Sequence, residues 1–386
     1  MNNVECNSYR NIPLCDSHMH FSVAVPIAST VTTFRERMEY FSLDRISLMP
    51  IAVCSNREDP CTNIKALYLK DVLNREKPDS VFAYGNIRQT LDDRDTADGF
   101  LSRAKTLYDM SVDGFKFLDG KPNMRKRTQR PLDDAIFDKM YAFMEEKDIP
   151  VVMHLADPFY FWGDKESLGE YEIARGWWYG DGTFPSFEQL HDELNAMLAK
   201  FPKLRLCVAH CGGYLSHDPD ALAAFMERWE NVSIDLTPGP SIFKDFSLNH
   251  DAWKAFLKTY SHRILFGTDT ENHPVDGTDL SKYEIPLCAH NYVRKALERR
   301  AEETFEHYTF GTITPLGLED EILRNVYSEN HKRLHPHPRP LNHERIAEQA
   351  EILLCDLKSG KETLWTEEEQ KPETENAVVV LNHFKG

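Results

Sequence analysis

Several protein classes are excluded by what this chain lacks. No apolar run approaches the roughly 20 residues needed to span a bilayer, so no membrane association is expected. The opening stretch, MNNVECNSYRNIPLC, has no basic segment followed by an apolar one, so no signal peptide is expected. The eight cysteines (Cys6, Cys15, Cys54, Cys61, Cys207, Cys211, Cys288 and Cys355) form no Cys-x-x-Cys pair and no small-domain disulfide framework. Several sit inside apolar runs, where buried reduced thiols are expected, and this fits a cytoplasmic location. Basic residues are outnumbered, 45 Lys and Arg against 62 Asp and Glu, for a formal net charge of -17. Such a surface repels phosphate backbones, so nucleic acid is not an expected partner. A small anionic substrate stays open, because local basic groups can dominate a pocket. There is no internal repeat beyond strand-helix alternation and no low-complexity linker.

What is present is a repeated alternation. Eight short apolar runs rich in β-branched residues recur near 12-20, 45-53, 80-87, 112-119, 149-157, 205-213, 231-238 and 263-270. Helix-period stripes separate most of them. One begins at Pro131, a residue suited to a first helical turn, with Ile136, Met140, Phe143 and Met144 on one face. Another follows Ser186, which forms a capping box with Gln189 and leads the stripe Phe187, Leu190, Leu194, Met197, Leu198 and Phe201. Further stripes are Leu222, Phe225, Met226, Trp229 and Trp253, Phe256, Leu257, Tyr260. Eight strands alternating with helices imply a parallel sheet closed on itself, a (β/α)8 TIM barrel. The competing open, doubly wound sheet usually carries a glycine-rich first turn for phosphate, whereas here the first strand ends in HMH. The 386 residues exceed the ~250 of a plain barrel, which accepts insertions, and a 41% hydrophobic share suffices for its core.

Three stretches account for the extra length. Residues 157-186, after the fifth strand, hold Phe159, Tyr160, Phe161, Trp162, Trp177, Trp178 and Tyr179. Residues 271-318, after the eighth, include an expected helix around Leu297, Ala301, Phe305 and Tyr308. Both leave from the C-terminal ends of strands and should overhang the active face. The third is a C-terminal extension. The expected division is a catalytic barrel over 1-334 and an arm over 335-386 that is no independent domain. The arm reads as a helix near 342-358 plus a segment ending in AVVVL, docked on the barrel or on a second copy of the chain in a homo-oligomer. The competing reading is a partly disordered tail.

The chemistry-bearing residues close apolar runs. IPLCDSHMH ends in His18 and His20, IPVVMHLAD carries His154, RLCVAHCGG carries His210, and ILFGTDT carries Asp269. His18 and His20 are two apart on a strand, so both point to one side. Each histidine alone would more often be structural, and a lone HxH is weak evidence. In a barrel, however, strand ends meet at one mouth, where such nitrogen and oxygen donors can surround a divalent cation.

This arrangement resembles the amidohydrolase superfamily, in particular its branch that includes aminocarboxymuconate-semialdehyde decarboxylase and related metal-dependent hydrolases. DSHMH is similar to the superfamily's opening motif, ILFGTDT to its eighth-strand motif, and NVYSENHKRL to the helix that closes the barrel in this branch. The resemblance covers roughly residues 12-334. It implies that His18, His20, His154 and Asp269 hold one divalent metal, zinc before manganese, with His210 orienting the activated water or taking its proton alongside Asp269. Lys116, in VDGFKFLDG, corresponds to a position that is a carbamate bridging two metals in some members; His154 and His210 would then hold the second ion. One metal is the preferred expectation.

Substrate contacts are expected from Arg88, Lys116, Lys121, Arg175, Trp177 and Tyr179. Arg125, Lys126 and Arg127 read as a solvated basic loop, and Asp235, with Thr237 on the same strand, as part of a buried hydrogen-bond network. His191, His217, His250, His262, His273 and His290 read as surface or structural. The expected activity is hydrolysis of an amide, ester or lactone in a small organic substrate. The alternative is non-oxidative decarboxylation of a small aromatic or unsaturated acid by the same residues. A non-enzymatic binding protein on a barrel scaffold predicts lost ligands, and all five positions carry competent ones.

Overall fold

Each apolar run supplies a short, almost fully buried strand, because helices cover a parallel sheet from outside and side chains fill it from within. The computed structural model describes residues 11–51, 61–237, 239–272, 281–307, 310–359 and 367–386. The strands are β1 (Leu14–Met19), β2 (Leu43–Leu48), β3 (Val81–Asn86), β4 (Gly114–Gly120), β5 (Val151–Leu155), β6 (Leu206–Val208), β7 (Val232–Asp235) and β8 (Ile264–Leu265). They pair in sequence order, every pair parallel. The residues after β8 return to β1: Ser17 N donates to Phe266 O at 3.0 Å, Asp269 N to His18 O at 2.8 Å and His20 N to Thr270 O at 2.8 Å. These bonds close the ring, giving a (β/α)8 barrel.

The inside of the ring is filled by Met49, Tyr84, Val152, Cys207, Ala209 and Leu265, drawn from five strands or strand ends. A larger cluster packs strands against helices, with Trp253, Phe34 and Phe100 among its most buried members. The helix Phe187–Lys200 starts as the capping box predicts, Ser186 Oγ accepting from Gln189 N at 3.1 Å.

Three expectations are corrected, and the form of the segment ending in AVVVL, which the sequence left open, is given. The helix placed at Pro131 starts later, because the Asp134 carboxylate accepts from Ile136 N at 2.9 Å and caps a short turn ahead of Asp138–Glu146. The helix expected through Leu297 and Phe305 ends at Glu298. Beyond it, Arg300 and Glu303 bond reciprocally into a turn, and Phe305–His307 pairs antiparallel with Gly311–Ile313; Tyr308 lies outside the described residues. The run AVVVL is helical, within Glu367–Lys385, with Ala377 and Val380 buried and Val378 and Val379 exposed. Finally, Pro122–Thr128 is a helix, and Arg125 is buried in a two-bond ion pair with Glu193 at 2.9 Å, so that stretch is no solvated loop.

The two C-terminal helices, His343–Ser359 and Glu367–Lys385, pack on each other and on the helix Cys61–Glu76. Asn376 fixes them to the end of the β1 segment, donating to Val23 O and accepting from Ile27 N, both at 2.8 Å. Cys15, Cys61, Cys207 and Cys211 are buried free thiols, and Cys355 is a free, exposed one. No helix among the described residues is long and apolar enough to cross a membrane.

Candidate metal centre

The end of β1 delivers His18 and His20 to the barrel mouth, and the seam with the post-β8 segment brings Asp269 beside them. His20 Nε2 lies 2.8 Å from Asp269 Oδ1, His18 Nε2 lies 3.5 Å from the same oxygen, and the two Nε2 atoms are 3.1 Å apart. A tetrahedral ion with ~2.1 Å bonds needs donors roughly 3.4 Å apart, so the trio is spaced to share one cation. Asp269 sits at φ 54°, a left-handed conformation that costs a non-glycine residue of order 1–3 kcal/mol and tends to occur where function requires it.

Hydrogen bonds orient the rings. His18 Nδ1 faces Asp235 Oδ2 at 2.8 Å and His20 Nδ1 faces Met49 O at 2.7 Å. Both acceptors require the proton on Nδ1, which leaves each Nε2 lone pair turned to the centre; a carboxylate behind a ligating imidazole is a common outer-shell arrangement. Burial lowers the His18 imidazole below its ordinary value, with Lys116 adding to the effect. Burial alone would raise Asp269, but the imidazoles of His18 and His20 outweigh it and hold the carboxyl well below the usual range. A neutral His18 imidazole and an ionised Asp269 carboxylate are the forms that bind a cation.

Lys116, on β4, is wholly buried, with Nζ 2.8 Å from His18 Nε2. Burial pushes its ammonium down to about 8. The lysine therefore stands at the centre itself, where it can meet either an ion's ligand or a substrate oxygen.

His154 and His210 form a second pair, His154 Nδ1 to His210 Nε2 at 2.8 Å. His210 Nδ1 donates to the Thr237 carbonyl, so His210 Nε2 accepts and His154 Nδ1 carries the proton. Burial holds both imidazoles low, His154 at about 4, where Lys121 contributes as well. In this arrangement His154 meets His210 and lies outside the trio of His18, His20 and Asp269.

His210 is placed by a left-handed turn. His210, Cys211, Gly212, Gly213 and Tyr214 have φ of 59°, 54°, 70°, 76° and 61°. The turn ends β6 at Val208, earlier than the apolar run suggested. The left-handed φ at 212 favours glycine, and a Cβ there would meet Leu222 Cδ1 at 2.4 Å, so that side chain would have to shift.

On the outer side of His154, Lys121 Nζ lies 2.6 Å from Asp157 Oδ1, and Tyr179 donates its hydroxyl to Asp157 Oδ2 at 2.6 Å. Tyr179 is thus tied into the polar network. Lys121 Nζ also lies 5.8 Å from the Trp177 ring centroid, and Arg175 stacks over Tyr171 and Trp177 within the same aromatic segment. Arg88 lines a cavity of about 350 Å³ with Arg103 and, from the C-terminal arm, Ile352 and Leu353.

Asp157 and Asp16 were not singled out from the sequence, although both lie in the quoted runs. Asp16 accepts from His18 N and Thr268 N, both at 3.2 Å, and from Thr268 Oγ1 at 2.6 Å, so it registers β1 against the last segment. Of the histidines set aside as structural, His191 is tethered to backbone carbonyls, and His290 is buried and stacked on Phe41 at 4.1 Å. His273 lies outside the described residues.

The sequence matches the amidohydrolase family over residues 15–336, most of its length. The chain belongs to that family. A search of curated proteins finds no match. Among solved structures, this amidohydrolase is similar to Metarhizium anisopliae IDCase in its apo form (13% identity, TM-score 0.52, covering 84% of this chain and 97% of that one). It is similar as well to an uncharacterized TIM-barrel protein from Bordetella bronchiseptica (13%, TM-score 0.50, 84% and 98%). A third is 4-oxalomesaconate hydratase from Rhodopseudomonas palustris (14%, TM-score 0.49, 90% and 99%). At such identities the first two likenesses speak for the barrel alone.

Proposed function

We propose that this amidohydrolase is a metal-dependent hydrolase acting on an amide, ester or lactone bond of a small organic substrate. The observation that carries the reading is the trio His18, His20 and Asp269, with both imidazoles locked by Asp235 and Met49 O so that their free nitrogens converge. Two imidazoles and a carboxylate with an open side suit zinc, and a cation held there supplies an acidified water, pKa ~7, and a Lewis acid for the scissile carbonyl.

The chain's own groups do the rest. Asp269 stays ionised and is 28% exposed in its side chain, so its free oxygen can take a proton from the attacking water. Lys116 Nζ, buried beside His18, can donate to an oxygen that gains charge. The proton that Asp269 takes from the water is the one to be returned to the leaving group, and His210, with Nδ1 on Thr237 O and Nε2 accepting from His154, is a fixed neutral ring beside that transfer. Lys121 and Tyr179 hold Asp157 beside His154 and fix that ring.

The test is chelator-free purification, metal quantification, and turnover of a panel of esters, lactones and amides before and after metal removal and restoration. One zinc per chain, lost in His20→Ala, together with metal-dependent hydrolysis is the expected result. Carbon dioxide release from hydroxybenzoate-like acids with no hydrolysis would move the assignment to a decarboxylase. Two ions per chain that vanish in Lys116→Ala would replace the single-metal centre.

A further inference from the structure

A cavity of about 390 Å³ opens among the segments that follow β5, β6 and β7. Its walls include Phe159, Tyr160, Tyr214 and Phe310, with Ser241 and Lys244 among the polar groups. Tyr214 is the wall it shares with the candidate centre, because its ring stacks on His210, centroids 5.2 Å apart and planes within 24°. Phe159 is held in place by stacking on His217 at 4.5 Å. Aromatic faces set around a space of this size favour a planar ring.

The polar groups are unequal. Lys244 Nζ donates to Thr312 O at 3.3 Å, and among the described residues it has no carboxylate partner. Its neighbour Asp245 lines the same cavity, where it accepts the hydroxyl of Ser216, another lining residue, and lies beyond ion-pair distance of Lys244. The cavity therefore offers whatever enters an ammonium that no carboxylate among the described residues pairs directly.

We propose that this cavity receives the body of the substrate, and that Lys244 selects molecules carrying a carboxylate at the end remote from the scissile bond. The class is a short aryl carboxylate whose ring lies against Tyr214 and Tyr160. The reacting bond then lies on the His210 side, and the carboxylate reaches Lys244 rather than the metal donors. A charge-assisted bond of this kind gives direction as well as affinity. The inference rests on the hydrolase reading above for the word substrate, but the binding itself can be measured without turnover.

The experiment is calorimetric titration of the full chain, metal-free and zinc-loaded, with three probes of one shape: 3-phenylpropionate, 3-phenylpropanamide and 3-phenylpropylamine. The acid is expected to bind at least tenfold more tightly than the amide or the amine in both metal states. Lys244→Met should erase that preference and leave amide binding unchanged, while Phe159→Ala should weaken acid and amide alike. Equal affinity for the three probes, no binding of any, or a preference that survives in Lys244→Met overturns the proposal. So does a preference seen only with zinc, which would put the carboxylate on the metal. A preference for the amine would hand the cavity to Asp245. A chain that shows the acid preference yet hydrolyses no ester, lactone or amide keeps the pocket and loses the hydrolase reading.

Discussion

Asp235 Oδ2 lies 2.8 Å from His18 Nδ1, and the other oxygen of the same carboxylate accepts from His210 N at 2.8 Å and from Thr237 Oγ1 at 2.6 Å. One side chain on β7 thus sets the ring of a candidate ligand on β1 and the backbone of a candidate catalytic residue after β6. Burial raises this carboxyl, but His18 and His210 more than offset it, and it stays ionised. Outer-shell partners of this type are worth on the order of 10- to 100-fold in metal affinity. Asp235→Ala should therefore weaken zinc binding by about that factor, read by competition with a chromogenic chelator. Unchanged affinity would detach Asp235 from the centre.

The left-handed turn after β6 predicts an intolerance at Gly212. An alanine there would take up a left-handed conformation that disfavours a Cβ by roughly 1–2 kcal/mol, and its Cβ would press on Leu222 Cδ1. Gly212→Ala should lower unfolding stability by about 2–4 kcal/mol in urea titrations. Because His210 opens the turn, the variant should lose activity even where it remains folded. Gly176→Ala, at φ 70° in open space, is the control and should show the conformational cost alone.

The eight strands were legible because buried parallel strands are written as short apolar runs, and the ligand candidates because charged or imidazole groups that close such runs stand out. Local hydrogen bonds that interrupt a periodic pattern were harder to read. Phe305 kept helical spacing from Leu297, yet the reciprocal bonds of Arg300 and Glu303 turn the chain first. The turn at 210–214 had a trace in its paired glycines, but the left-handed conformations of His210, Cys211 and Tyr214 rest on tertiary packing that no local spacing encodes. Asp157 could have been found three residues after His154. What the sequence withheld was its partners, since Lys121 and Tyr179 reach it from different segments.

Lys121 predicts a shift at His154. Its ammonium lies 3.4 Å from His154 Nε2 and, after burial, is the main influence lowering that imidazole to about 4. Lys121→Met removes the cation and leaves Asp157 as a nearby negative charge, which favours the protonated ring. The His154 pKa should rise toward its ordinary value of ~6.5 in the metal-free protein, followed by NMR of the ring protons. Tyr179→Phe should change it far less, because the tyrosine hydroxyl donates to Asp157 Oδ2, while the oxygen facing His154 is Oδ1. A fixed His154 titration in Lys121→Met would show that burial alone sets it.

Stability in acid should carry the imprint of His331. The ring is wholly buried, bonded through Nε2 to Ser47 Oγ at 2.9 Å, and burial, with Arg45 nearby, pushes its pKa down to about 3. The unfolded chain takes up that proton near pH 6.5 and the folded chain does not, so His331 costs no stability above pH ~6.5 and progressively destabilises the fold as pH falls from there toward 3. The slope is about 1.4 kcal/mol per pH unit for one such group. Asp16 and Asp119 act in the opposite sense, since burial raises them to about 7 and about 6, and the folded chain binds their protons first. The wild-type curve is therefore a sum, and the difference against His331→Gln isolates the histidine. That variant should lose less stability between pH 6 and pH 4 than the wild type, by about 2–3 kcal/mol in urea midpoints corrected for slope. Parallel curves for the two proteins over that range would mean that the folded state protonates His331 as readily as the unfolded one.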